Sequence, residues 1–333
     1  MSTLFSHFFT KINQISPLEC KYTQGLGSIA LMPKTLYFCG KMPENMVKTV
    51  AIVGSRHNTK YGEEVAYKLA YDLAREGVII VSGLAFGIDS IAHRGCLDAG
   101  GTTIAVLGTR ADEIYPRSHT ALAQEIIEKG GAILSEYAPL EIEDAPLGPA
   151  EAGWDGEKWV SFEKEIAPTR YKRRRIEQKL SFLYRNRLIS GLADAVIVVE
   201  AAERSGTLNT ATHALSQGKE VFVVPGNITS PYSRGCNKLI REGACPCLGA
   251  EDVLQVLFPE RIAEKYHKAK KQGLLGDNDV ETAVLGAIAN GARKGEEIMG
   301  LTHLPVEVFN SAVTMLEIKG RIRALGMNNW GLV

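Results

Sequence analysis

Between Thr49 and Leu257 the chain alternates short, unbroken apolar runs with longer amphipathic stretches. The runs at 49–53, 78–82, 102–107, 131–135, 195–199 and 220–224 are rich in Val, Ile and Ala with little polar alternation. That pattern predicts strands buried on both faces of a parallel sheet. The stretches at about 62–76, 88–99, 119–129, 183–192, 207–217, 236–242 and 250–257 space their apolar residues as helices do. Strand followed by helix, repeated with right-handed crossovers, makes a doubly wound α/β fold. Residues 1–48 carry no long periodic segment and read as a lead-in packed on the main domain, with a helix over Thr10–Leu18 and an edge strand over Lys34–Cys39.

The rhythm breaks at 137–181. The first half of this insert is acidic and broken by Pro139, Pro146 and Pro149, which predicts a mobile loop. The second half is basic, with Arg170, Lys172, Arg173, Arg174, Arg175 and Lys179. An acidic segment tethered to a basic one either folds over it as an electrostatic lid or simply packs on the surface or serves a partner. Residues 49–258 therefore form one domain, 259–279 a lysine- and glycine-containing linker, and 280–333 three short helices and a hairpin around Met327–Asn329, the pattern of a winged helix. The third of these helices carries Glu307 and Glu317, a poor face for a DNA groove, so contact with another protein is expected of it.

Charge narrows the choice of partner. Lys and Arg number 38, Asp and Glu also 38, so any anion site must be local rather than a consequence of bulk charge. Hydrophobic residues at 45% and charged ones at 23% fit an ordinary globular chain. No run approaches the length of a membrane span, and the six scattered cysteines suit reduced thiols, so a cytoplasmic protein without membrane contact is expected. No metal quartet, no nucleophile with its base, and no carboxylate pair set for acid–base work stands out, so neither metal, cofactor nor catalytic residue is assigned. The G-x-G-x-x-G and G-x-x-x-x-G-K-[ST] phosphate loops are both missing.

Four constellations remain. Val53-Gly54-Ser55-Arg56 ends the first strand of the main domain with a close-approach glycine and a permanent planar cation. Ser82-Gly83-Leu84-Ala85-Phe86-Gly87-Ile88-Asp89, with His93 beyond it, places small residues and a helix N-terminus at the end of the second. Asp89 either caps that helix or serves a site. Ser205-Gly206-Thr207 opens another helix with good capping residues. Phe182, Arg185, Asn186 and Arg187, preceded by Lys179, combine an aromatic ring with cations, which suits single-stranded nucleic acid. Two arginines two residues apart cannot share one helix face, so one reaches across the groove while the other holds a carboxylate of the core.

Taken together, Val53-Gly-Ser-Arg56, Ser82-Gly-Leu-Ala-x-Gly-Ile-Asp89 with Ala92-His93, Tyr115-Pro116, Ser135-Glu136, Phe182-x-x-Arg-Asn-Arg187, Ser205-Gly-Thr-x-x-Thr-Ala211, Val224-Pro-Gly226 and Gly235-x-Asn-x-Leu-Ile240 closely resemble the DprA/Smf family. The resemblance implies an extended Rossmann-like, doubly wound, mostly parallel sheet with a C-terminal winged-helix module. It also implies a homodimer that binds single-stranded DNA, protects incoming strands during natural transformation and loads the recombinase RecA, without catalytic turnover. Carried over by position, Arg56, Lys179, Phe182, Arg185, Asn186 and Arg187 would line the DNA pocket, with backbone from Gly54, Ser55, Ser82, Gly83 and Gly206. Gly87, Ser205 and Thr207 complete the expected set. Leu183 stands where the family has proline, the segment from Glu136 to Phe182 is longer than usual, and no N-terminal helical domain is expected before the fold. The competing reading is a nucleotide-hydrolysing enzyme related to the Rossmann-like phosphoribohydrolases, whose Pro-Gly-Gly-x-Gly-Thr segment is missing here.

Overall fold

The computed structural model describes residues 11–139, 152–154, 159–161, 170–260 and 276–333. Most of the acidic half of the insert, and the lid reading with it, lies outside the described residues, as does most of the linker. The chain divides into two compact units, Met1–Leu257 and Phe258–Val333.

In the first unit, nine strands form one sheet: β1 (Asn13–Ile15), β2 (Leu36–Gly40), β3 (Thr49–Val53), β4 (Ile79–Ser82), β5 (Thr103–Val106), β6 (Ala132–Ser135), β9 (Ala195–Val198), β10 (Glu220–Val223) and β11 (Cys245–Pro246). A separate antiparallel pair, β7 (Ala152–Trp154) and β8 (Trp159–Ser161), lies within the insert. The order across the large sheet is β1-β2-β6-β5-β4-β3-β9-β10-β11. It is parallel from β6 to β11, and antiparallel where β1 meets β2 and β2 meets β6. From β3 the chain extends the sheet one way through β4, β5 and β6, then returns to add β9, β10 and β11 on the other side. The switch therefore falls between β3 and β9, where a crevice opens at the strands' carboxyl ends.

Alternation along buried strands assigns the two faces. Ile104 and Val106 share a core with Leu188 and Ile189 of α4 (Arg170–Leu192), while Ala105 and Ile133 share another with Leu97 of α2 (Ile88–Asp98) and Ile126 of α3 (Thr120–Glu128). Helix α1 (Lys60–Arg75) begins at Thr59, whose side chain accepts from the Gly62 N–H. Thr59 is itself held by the Glu200 carboxylate just past β9, through N–H (2.8 Å) and hydroxyl (2.6 Å). Helices α5 (Gly206–Ser216), α6 (Arg234–Arg241) and α7 (Ala250–Leu257) complete the unit.

Three sequence expectations are corrected. The helix over Thr10–Leu18 is absent, and strand β1 occupies part of that span. Strand β2 is not at the edge, because β1 covers it. The helix expected at 183–192 starts at Arg170: eight of the ten residues at 170–179 are Lys, Arg, Glu or Gln, good helix formers whose charge masks any apolar period. Among the described helices none is long and apolar enough to cross a membrane.

His93 on α2 is fully buried, with Nδ1 2.7 Å from Thr103 Oγ1. The Thr103 hydroxyl donates to the Ile80 carbonyl, so His93 must donate from Nδ1, and its Nε2 has no partner among the described residues. Burial pushes the His93 pKa down to about 3, helped by the nearby charges of His119 and Arg185. The unfolded chain therefore takes up a proton below about pH 6.5 that the folded one refuses, and stability falls with pH in that window. From pH 7 to 5 the wild type should lose about 2 kcal/mol more than His93→Asn in urea unfolding; equal losses would remove His93 from the acid response.

The second unit contains α8 (Asp279–Ala289), α9 (Gly295–Thr302), α10 (Val306–Ile318) and the hairpin β12 (Ile322–Gly326) and β13 (Asn329–Leu332). Val284, Leu285, Ile288, Phe309, Val313, Leu316 and Ile322 form its core. Met327 and Asn328 both have positive φ, as a tight hairpin turn demands. Helix α10 leaves Val306, Met315 and Ile318 exposed beside Glu307 and Glu317.

Candidate functional site

A cavity of about 620 Å³ opens at the crevice between the turns after β3 and β9. Gly54, Ser55 and Arg56 line it from the first turn, Arg204, Ser205, Gly206 and Thr207 from the second, and Phe182, Leu183, Arg185 and Asn186 of α4 close it from above the sheet. The turns are locked together: the Ser55 N–H donates to Glu200 O (2.7 Å), and the Thr207 hydroxyl to Gly54 O (3.0 Å). A Cβ on Gly54 would lie 2.5 Å from Ile88, so only glycine lets β3 and α2 approach this closely. Ser205 caps α5 by accepting from the Thr207 N–H (3.2 Å), which aims the start of an eleven-residue helix at the cavity.

Arg56 is exposed, and its guanidinium carbon lies 5.4 Å from the centre of the Phe182 ring. No carboxylate pairs with it among the described residues. Tyr115 also packs against Phe182, with 5.2 Å between ring centres. Cation and aromatic faces thus meet at the cavity mouth, where a planar anionic ligand can stack and pair at once.

The two arginines of α4 serve different ends. Arg185 is 3% exposed and donates to the carbonyls of Gly83 (2.9 Å) and Val106. Burial lowers its pKa to about 10, against the raising effect of Asp89, so it stays charged at neutral pH. Burial likewise raises Asp89 above the usual carboxylate range, although Arg185 and Arg56 pull it back. Asp89 does not cap α2, whose N-cap is Gly87 at φ 75°; it accepts from the Gly83 N–H (3.1 Å). Asn186 donates to Gly206 O (3.3 Å) and Asn209 Oδ1 (3.4 Å), bracing the start of α5.

Arg187 is a correction. It points away from the cavity and forms a two-toothed ion pair with Glu136 (2.6 and 3.0 Å), both side chains almost fully buried. Its guanidinium also covers the Tyr184 ring at 3.8 Å. Ser82 and Gly83 lie beneath the cavity rather than on its wall: the Ser82 hydroxyl donates to Ile52 O, and a Cβ on Gly83 would strike the Arg185 guanidinium. Gly87 makes the α2 turn against the Ser55–Arg56 backbone. The Lys179 side chain lies outside the described residues. The glycine turn at Pro225-Gly226 is fastened by Asn237, which donates to Gly226 O (3.0 Å) and accepts from its N–H (3.2 Å), and it does not line the cavity.

Sequence reasoning missed Arg204, His57 and Tyr232 on the cavity wall. Arg204 had a legible signal, a cation immediately before a Ser-Gly-Thr helix start, much as Arg56 follows Gly54-Ser55. Tyr232 had none, because only the return of the chain after β10 brings it there.

Two family models match. That for DNA recombination-mediator protein A covers residues 13–145 and 162–258, and that for the DprA winged helix domain covers 268–326. Protein Smf of Escherichia coli strain K12 is 39% identical over 225 residues, which is 68% of this chain and 51% of that protein. The chain thus spans about half the length of that relative. The X-ray structure of DNA processing protein A from Streptococcus pneumoniae superposes with a TM-score of 0.56 at 36% identity, covering 75% of each chain. DNA processing protein A from Helicobacter pylori, whose structure concerns that protein's single-stranded DNA binding mode, gives 0.55 at 29% identity over 77% of this chain and 98% of that one. With its mostly parallel α/β sheet, its winged helix and both models matched in order, the chain belongs to the DNA recombination-mediator protein A (DprA/Smf) family.

Proposed function

We propose that the cavity binds single-stranded DNA, and that the protein, as a cytoplasmic homodimer, shields incoming strands and passes them to the RecA recombinase during natural transformation and recombination. The observation that carries the binding step is Arg56, an uncommitted cation beside the Phe182 ring at the mouth of a cavity framed by the start of α5. Phosphate is suited to Arg56 and the N–H groups of that helix start, and a base to the ring. Family membership and the Helicobacter pylori relative support the choice of ligand. Binding is preferred to hydrolysis because the nearby carboxylates are structurally engaged: Asp89 holds the Gly83 turn and Glu200 holds the start of α1.

Arg56→Ala should weaken binding of a labelled oligothymidylate by about 1 to 3 kcal/mol, the loss of one charge-assisted contact. The slope of log affinity against log salt should also flatten by about 0.7, one phosphate contact on a single strand. Anisotropy titrations at several salt concentrations measure both; a folded variant with unchanged affinity and slope refutes the assignment.

A further inference from the structure

The turn between β4 and α2 does more than border the cavity. Leu84 is fully buried with φ 57°, in the left-handed region that a leucine rarely adopts. Its carbonyl accepts from Nδ1 of His119 (2.9 Å). Such strain persists only where neighbours over-determine it, and it gathers at functional sites. The turn leaves the Phe86 side chain 47% exposed, with its ring edge-on to His119 at 4.9 Å between centres. Burying an aromatic ring is strongly favourable, so a half-exposed phenylalanine on a rigid, strained turn is a surface prepared for a partner.

The position of this pair identifies the partner. Ala85 and Tyr115 line the cavity, while Phe86 and His119 lie one residue and four residues further along the same two segments. Between Tyr115 and His119 stands Arg117, exposed and with no side-chain partner among the described residues. One short segment therefore links two aromatic pairs, Tyr115 with Phe182 and His119 with Phe86, and carries a free cation between them.

We propose that Phe86 and His119 form a second nucleobase platform outside the cavity, with Arg117 holding the intervening phosphate. A single strand leaving the cavity past Tyr115 stacks its next base on Phe86. The inference rests on the cavity being the single-strand site, and it adds the direction in which the strand runs and the residues that extend its footprint.

Oligothymidylates from about 4 to about 16 nucleotides, a range spanning known single-strand site sizes, test it by anisotropy with wild type, Phe86→Ala, Phe86→Tyr and Arg56→Ala. For the longest oligomer Phe86→Ala should lose about tenfold, or about 1.4 kcal/mol, within the range of base–aromatic stacking. The loss should shrink as the oligomer shortens, and Phe86→Tyr should restore affinity because any aromatic face stacks. Phe86→Trp should show fluorescence quenching by the long oligomer beyond that of the wild type, a response that a packing role alone would not produce. If Arg56→Ala weakens binding while Phe86→Ala matches wild type at every length, the platform is refuted and the cavity reading stands. If the wild type binds no oligomer, both are refuted.

Discussion

Arg187→Met should destabilise the first unit by about 3 to 5 kcal/mol, because it strands the Glu136 carboxylate where water cannot reach. Both side chains are nearly fully buried, and the guanidinium also donates to Leu31 O (3.1 Å) while covering the Tyr184 ring. One residue thus ties α4 to the end of β6 and to the segment before β2. The double variant Glu136→Leu/Arg187→Met removes both charges together and should recover most of the loss, since the larger part is the cost of an unpaired buried ion. Urea denaturation of the two single variants and the double gives the coupling directly. A single-variant loss below about 1 kcal/mol would mean that the pair is solvated and only a surface contact. Once folded, Arg187→Met should bind oligonucleotide as the wild type does, because its guanidinium is turned away from the cavity.

Arg185→Met should cost about 3 to 5 kcal/mol at neutral pH by the same mechanism, and here the loss should depend on pH. The substitution leaves the carbonyls of Gly83 and Val106 without their donor and removes the cation with the strongest pull on Asp89. Asp89 is already raised by burial, and Arg185 is the larger of the two cations pulling it down, so its folded-state pKa rises further in the variant. The folded variant then holds a proton that the unfolded chain releases above about pH 4, and stability is lost as pH rises through the folded pKa. The deficit relative to wild type should therefore be smallest near pH 4 and grow toward pH 7. A pH-independent deficit would show that Asp89 is compensated by Arg56 or by water.

The sequence by itself determined the α/β architecture, the winged helix and the family. Unbroken Val/Ile/Ala runs such as 49–53 are buried wherever a parallel sheet has two covered faces, and period 2 against period 3.6 is a local property of the chain. Phosphate-sized turns at Gly54-Ser55 and Ser205-Gly206 were legible for the same reason, since glycine and capping residues act within a few residues of themselves. Which arginine faces the ligand was not legible. Arg185 and Arg187 differ in sequence by two positions and in the structure by opposite sides of α4, one lining the cavity and reaching down to the Gly83 carbonyl, the other on Glu136 some fifty residues back in the chain. Nor could Tyr115, Arg204 and Tyr232 be collected onto one wall, or Phe86 be seen as half-exposed. Those assignments depend on the switch between β3 and β9 and on a turn that leaves Leu84 left-handed, and both arise only when segments distant in sequence pack together. Local chemistry is written along the chain, whereas the choice of which charge is buried and which is offered to solvent is made by packing, through the desolvation of one guanidinium and the exposure of another.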